Sequence, residues 1–478
     1  MSDIKINTTV VVRAKHKNIN GDAIMKAGPK VTVIGAGSYF FGKQVIWKMV
    51  KSEYLRNGTL ALVDTNPAVL DTMVKIAKRA IEASNAPTNL IFSTDRREVM
   101  KDSDFVILAF SGRNAFYRGI DTRISAKYGV TMCSSDTIGA GGIFRALREI
   151  PQVLDVARDV EKFAPDAWLI NFINPTSVLG IALMRNASKI KSFALCDGNH
   201  LPYSRHHFMR CLGLVPDKAD TKFNIKIAGI NHCTWVTECS YEGKDMMGRF
   251  YDYVKREAAK EWETEPSKKA KPRLNMNYAL QLFEVYGAFP TAVSHTKEYV
   301  PFFQGYGKTP VEPEPIIAFD AYNRDDEMKA AWSETELLAN GTTPIEKFLC
   351  MDHGDHATDI VESMWADLGK PFFINGPNQG SVTNMPDDAF LELERNIDMN
   401  GFRAKPFGQM PRGLLGMQMQ ILDTHELTAE AAVTCDKSTL LKAMCTDPII
   451  NNIGDARNIM NELLEAEREA LPVAWYKN

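Results

Sequence analysis

The stretch Val31–Phe41, VTVIGAGSYFF, constrains this chain more than any other. Val31, Val33 and Ile34 form the apolar run of a buried strand. Gly35 and Gly37 then let the backbone turn sharply and approach a ligand closely, and a helix after Ser38 would aim its positive end at the same place. Leu60–Asp64, LALVD, reads as a second strand ending in a carboxylate, where an acceptor for a ribose 2′-hydroxyl belongs. The third glycine of the common pattern is missing, since Phe40 stands there and Gly42 follows two residues later. Strand, turn, helix, strand and aspartate in this order predict a dinucleotide site built by Gly35, Gly37, Ser38 and Asp64.

The order of elements extends this reading. From Lys30 to about Leu212, strand-like runs (VTVIGAG, TLALVD, NLIFST, DFVILAF, AWLINFI, SFALCD) alternate with helical ones over Gly42–Tyr54, Pro67–Ser84, Ile143–Lys162 and Thr176–Arg185. Such alternation predicts an α/β fold, a Rossmann-like doubly wound parallel sheet with ligands at the carboxyl ends of its strands. After residue 215 the pattern changes. FNIKIAGINHCTWVTECSYEGKDM predicts antiparallel strands, helices are expected around 246–263 and 274–286, PSKKAKP (Pro266–Pro272) reads as an exposed loop, and helices run from about Gly413 onward. The expected organisation is an extension over 1–29, a nucleotide-binding domain over 30–212 and a C-terminal mixed α+β lobe over 213–478, carrying substrate, metal and subunit contacts.

Composition excludes several classes. A net charge of −3 leaves no electrostatic footprint for nucleic acid or an anionic membrane. No run approaches the roughly 20 apolar residues of a membrane span, and MSDIKINTT lacks a signal-peptide core. Eight cysteines without paired spacing fit reduced thiols in a cytoplasmic protein.

Four further segments carry reactive groups. SFALCDGNH ends a strand in Cys196 and Asp197, and AGINHCTW presents His232. A thiolate and an imidazole suit a divalent transition metal with positions left open for substrate oxygens, although a buried thiol and a hydrogen-bonded histidine would look the same. Ser134–Arg148 holds a glycine-rich turn with Asp136 at its mouth, either a proton donor or a helix cap. In Asn171–Thr176, Asn174 can hold a sugar hydroxyl through its amide.

Taken together, VIGAGS, DTIGAGGIFRALREIP, INFINPTS, the Cys196–Asp197 pair, GINH at 229–232, HTKEYVPFF from His295, INGPNQGSVTNMP and FGQMPRGLLGMQMQ resemble glycoside hydrolase family four, the NAD- and divalent-metal-dependent glycosidases. The similarity covers nearly everything from 30 to 470. It implies elimination assisted by oxidation and reduction: C3 of the sugar is oxidised by NAD+, the C2 proton is removed, the aglycone leaves C1, water adds and C3 is reduced again. It further implies Cys196 and His232 as ligands of Mn2+, and Tyr278 of NMNYALQLF as the C2 base, with its pKa depressed by the cation. Asp136 or Asp197 would protonate the leaving oxygen. Asn174 would sit at both cofactor and sugar, with Arg113, Asn199 and His295 as further substrate-binding residues. A homo-oligomer, dimer or tetramer, is also expected.

The branches differ in substrate. Phe110-Ser-Gly-Arg113 stands where the phosphosugar branches carry an R-x-G pattern, and DTIGAGGIFRALREIP and HTKEYVPFF look more like the branches for unphosphorylated α-galactosides and uronides. Asp197 after the metal cysteine instead matches the phospho-α-glucoside branch. An unphosphorylated α-glycoside (galactoside, glucoside or uronide) is therefore the leading expectation. A 6-phospho-α-glycosidase and a lactate/malate-type dehydrogenase are the alternatives. Asp352-His-Gly-Asp-His356 has the look of a second metal site, but also of a helix cap at the active-site rim.

Overall fold

The computed structural model describes residues 27–38, 41–132, 134, 136–263, 275–304, 324–350 and 355–477. The expected extension and the PSKKAKP loop lie outside these residues, apart from the last residues before Lys30.

Among the described residues, six parallel strands form the first half of a single 13-stranded sheet. They are β1 (Lys30–Ile34), β2 (Thr59–Val63), β3 (Asn89–Ser93), β4 (Phe105–Leu108), β5 (Trp168–Asn171) and β6 (Lys191–Ala194). Their spatial order, β3-β2-β1-β4-β5-β6, is that of the doubly wound dinucleotide fold. Alternation along the strands supplies apolar side chains to both faces: Phe105 and Ile107 join one core cluster, Val106 and Leu108 the other. Both faces of the parallel sheet are therefore covered, as its burial requires.

The remaining strands are β7 (Phe223–Ile230), β8 (Cys233–Tyr241), β9 (Lys244–Asp245), β10 (Phe289–Pro290), β11 (Pro371–Pro377), β12 (Phe390–Asp398) and β13 (Gly401–Ala404). They add to the same sheet antiparallel, in the order β6-β11-β12-β7-β8-β10, with β13 on β12 and β9 on β8. The junction is slender, through Asn375 opposite Ala194. The mixed α+β character of the second half is thus present, but its strands continue the first half's sheet and bring late residues beside the ends of β6 and β7.

Local signals set the helices. Pro67–Ser84 starts with Asn66 accepting from the amides of Ala68 and Val69, and ends at Asn85 in the left-handed region, φ 47°. The first helix stops at Lys51, short of the expected Tyr54, because Ser52 is extended. The helix expected from Ile143 starts earlier, at Gly139, and runs to Phe163. Its glycines read as turn residues in sequence, yet they lie in a tightly packed first turn: a Cβ on Gly142 would stand 2.3 Å from the carbonyl carbon of Thr137. The later helices include Met247–Glu263, Asn275–Tyr286, Arg324–Asn340, His356–Ala366, Arg412–Thr434, Lys437–Thr446 and Ile453–Ala466. No helix among the described residues is long and apolar enough to cross a membrane.

Candidate active site

A cavity of about 1430 Å³ opens at the carboxyl ends of the parallel strands, lined by residues at the ends of β1, β2, β4, β5 and β6. Its nucleotide-like end is made by the first βαβ unit. The amides of Gly35 and Ala36 both donate to the carbonyl of Val63 at 2.9 Å, which folds the turn over β2. Gly35 has φ +87°, and a Cβ there would lie 2.7 Å from the carbonyl carbon and oxygen of Ala109, so only glycine fits. Asp64 accepts from the amides of Gly37 and Asn66, each at 2.9 Å, which fixes its carboxylate at the cavity. Ser38 also lines this end, and Asn174 lines it with its amide oxygen accepting from Thr176 at 2.7 Å.

The other end carries the sulfur and the imidazole. Cys196 follows β6 and precedes the short 3-10 turn Asp197–Asn199; His232 sits at the tip of the two-residue hairpin between β7 and β8. Thirty-six positions apart in sequence, Cys196 Sγ and His232 Nε2 are 3.2 Å apart. His232 holds φ +64°, an uncommon conformation for a non-glycine residue, and is locked there by Thr296, whose hydroxyl donates to the His232 carbonyl at 2.9 Å. Burial, then the neighbouring His295, pushes the His232 pKa well below the ordinary histidine range, leaving the neutral ligating form. Burial, followed by the Glu392 carboxylate, pushes the Cys196 thiol up to about 12. Such a thiol needs a cation beside it to ionise, while its imidazole partner is ready to ligate; the donor pair fits a divalent metal. No group of three or more His, Cys, Asp or Glu poised for a metal occurs among the described residues.

Around this pair lie His295, Asp136, Asp197 and Arg113. His295 stacks on His232 with ring centroids 4.3 Å apart and an interplanar angle of 9°. Its Nδ1 is 3.3 Å from the Ser134 hydroxyl and 3.5 Å from Glu298, a buried carboxylate. Burial raises the Glu298 pKa, but His295 and Ser134 together outweigh that and hold it below the usual range. Asp136 forms ion pairs with both Arg118 and Arg145. Asp197 is exposed and lines the cavity. The Arg113 guanidinium lies over Phe116, 4.2 Å from its centroid.

Two expected site residues stand elsewhere. Tyr278 does not line the cavity; it belongs to the hydrophobic core, edge-on to Phe303 at 4.7 Å, as its place on an apolar helix face allows. Asn199 does not line it either, because its amide donates to Glu392, Thr234 and Thr291 inside the wall. In the expected Asp352–His356 cluster, residues 352–354 lie outside the described set. Asp355 caps Thr358, and His356 Nδ1 donates to the Cys196 carbonyl at 3.0 Å, which is a supporting role rather than a second metal site. Asn231 and Glu298 stand inside the quoted GINH and HTKEYVPFF stretches without a role of their own, and Glu392 lies outside every quoted motif; polarity in a strand or turn does not identify a partner.

Residues 30–208 match the model of the family 4 glycosyl hydrolases, and residues 227–450 match that of the family's C-terminal domain. An alpha-galactosidase of Bacillus subtilis is 28% identical over 453 residues, covering 93% of this chain and 99% of its own. An alpha-galacturonidase of the same organism is 26% identical, covering 91% and 97%. The fold is shared with a 6-phospho-alpha-glucosidase from gut microorganisms, solved in complex with NAD and Mn2+ (TM-score 0.76, 21% identity, 93% and 99% covered). It is also shared with a 6-phospho-beta glucosidase from Thermotoga maritima, solved with manganese, NAD+ and glucose-6-phosphate (TM-score 0.71, 20% identity, 93% and 99% covered). Matched across both of its halves, this chain belongs to the family 4 glycosyl hydrolases.

Proposed function

We propose that this glycosidase hydrolyses an unphosphorylated α-glycoside, using NAD and Mn2+. The observation that carries the reading is a single cavity with a glycine turn and Asp64 at one end and the Cys196–His232 pair at the other. When bound, the two cofactors supply a reversible oxidation at C3 and polarisation of the C2 and C3 oxygens.

The chain's own residues do the rest. Gly35 and Gly37 bring backbone against the pyrophosphate, and Asp64 presents its carboxylate to the ribose. Cys196 and His232 hold the cation. With Tyr278 in the core, His295 is the group that takes the C2 proton: Glu298 orients its Nδ1, in the manner of a carboxylate behind a general-base histidine. Asp136 is committed to two arginines, so Asp197 delivers the proton to the leaving oxygen. Asn174 holds a sugar hydroxyl.

The arginines favour an uncharged glycone. Arg96 is paired with Asp155 and Asp159, Arg97 with Asp95 and Arg145 with Asp136, while Arg113 is stacked on an aromatic ring. A phosphate would have to compete with each of these partners. A reducing, cytoplasmic setting fits the seven described cysteines, all free thiols.

The test is a panel of aryl α- and β-glycosides, including uronides and 6-phosphates, assayed with chelator-stripped protein, NAD+ and Mn2+ in D2O. Fastest release from a neutral α-glycoside, with deuterium at C2 of the product, is expected. His295→Asn should slow that release by roughly 10²- to 10⁴-fold, the usual contribution of a positioned base. Preference for a 6-phosphate would overturn the substrate assignment, and an unimpaired His295→Asn would remove His295 as base.

A further inference from the structure

Glu392 lies on β12 opposite Gly229 of β7, two residues before the hairpin tip that carries His232. Its side chain is 2% exposed. One carboxylate oxygen accepts from the Asn199 amide at 2.7 Å, and the other from the Asn231 amide at 2.9 Å. Asn199 closes the turn that follows Cys196, and Asn231 directly precedes His232. One residue of a distant strand therefore clamps both turns that bear the sulfur and the imidazole. The clamp is itself braced, since the Asn231 carbonyl accepts from the Tyr299 hydroxyl at 3.1 Å and Asn199 also reaches Thr234 at 3.1 Å.

Its charge needs an explanation. Among the described residues no cationic side chain pairs with Glu392; both donors are neutral amides. A buried carboxylate without an opposite charge is costly, and burial raises the Glu392 pKa against the lowering by its two amide donors. A divalent cation held by Cys196 and His232 would offset that cost.

We propose that Glu392 is the outer carboxylate of the cation centre: it positions the Cys196 and His232 turns through Asn199 and Asn231 and supplies the second negative charge that holds a divalent cation there. The inference rests on the reading of Cys196 and His232 as cation ligands.

The experiment measures binding of Mn2+ to the full chain by calorimetry, NAD+ binding by fluorescence, and the sulfur-to-metal absorption of the Co2+-loaded protein. Glu392→Gln removes the charge at nearly constant shape. Outer-shell substitutions typically weaken metal binding about 10- to 100-fold, and that loss is expected for Mn2+, with a shifted Co2+ absorption and unchanged NAD+ binding. Asn199→Ala cuts the link to the cysteine turn while keeping the charge, and should weaken Mn2+ several-fold; it carries the test if Glu392→Gln does not fold. Wild-type Mn2+ affinity in either folded variant overturns the role of Glu392 alone. A wild-type chain that binds neither Mn2+ nor Co2+ overturns the ligand assignment as well.

Discussion

The two ends of the cavity are built in opposite ways. The nucleotide end comes from one continuous stretch, in which β1, its glycine turn, a helix and β2 lie within residues 30–64, and Asp64 folds back onto Gly37 at 2.9 Å. The proposed cation end is gathered from across the chain: Cys196 after β6, His232 at a hairpin tip, His295 and Glu298 in a later turn, Glu392 on β12. What joins them is the antiparallel extension of the sheet, which carries β7 and β12 alongside β6. A local site can be damaged by one backbone clash. A dispersed site depends on every element that delivers a ligand, so the two ends should fail separately.

The sharpest test of that separation removes a proposed ligand. Cys196→Ala should reduce Mn2+-dependent turnover to background while NAD+ affinity, followed by fluorescence titration, stays within about twofold. Normal turnover in this variant would end the metal assignment, and a parallel loss of NAD+ binding would show that the two ends are one cooperative unit.

The converse variant is Gly35→Ala. A Cβ there meets the Ala109 carbonyl at 2.7 Å, and that backbone cannot swing aside as a side chain could. The strained φ of +87° adds about 1–3 kcal/mol. NAD+ binding should weaken about 10- to 100-fold with Mn2+ affinity unchanged. Equal losses of both ligands would break the comparison.

The same contrast explains what could be read from the sequence. Gly35, Gly37 and Asp64 are legible because their chemistry, spacing and secondary structure occupy one window, and the parallel sheet followed from the alternation of strands and helices. Cys196 and His232 became meaningful only through a family resemblance, since nothing in the thirty-five intervening residues says that they meet. Tyr278 carries a role only by position in the resemblance, and the structure places its ring on an apolar helix face among core residues, edge-on to Phe303. Asn199 stands beside the site in sequence but turns into the wall, where Glu392 claims its amide. Glu392 itself was invisible, because acidic residues alternating with leucines, as in Leu391-Glu392-Leu393-Glu394, normally signal a solvent-facing strand face. Only pairing of β12 with β7 makes it central.

The smallest expected effect concerns acid. His356 donates through Nδ1 to the Cys196 carbonyl and stacks on His200, with centroids 4.6 Å apart. Burial, then repulsion from His200, lowers its pKa from 6.5 to about 3 in spite of the Cys196 carbonyl and Asp359. A depressed folded-state pKa means that the unfolded chain binds more protons between those two values. The stability it contributes is therefore complete above pH 6.5 and is lost as the pH falls toward 3, amounting to about 2 kcal/mol by pH 5. Because the loss is tied to the turn holding Cys196, it should be local before it is global. Hydrogen exchange, corrected for intrinsic rates, should rise at pH 5 over 195–200 and 355–366 while β1 and its glycine turn stay protected. His356→Gln keeps an amide donor for the Cys196 carbonyl without a titrating ring, and should flatten the acid dependence in the first region only. Identical acid profiles for the two proteins would sever His356 from the effect, and equal loosening of β1 would mean that the sheet transmits the strain from one end of the cavity to the other.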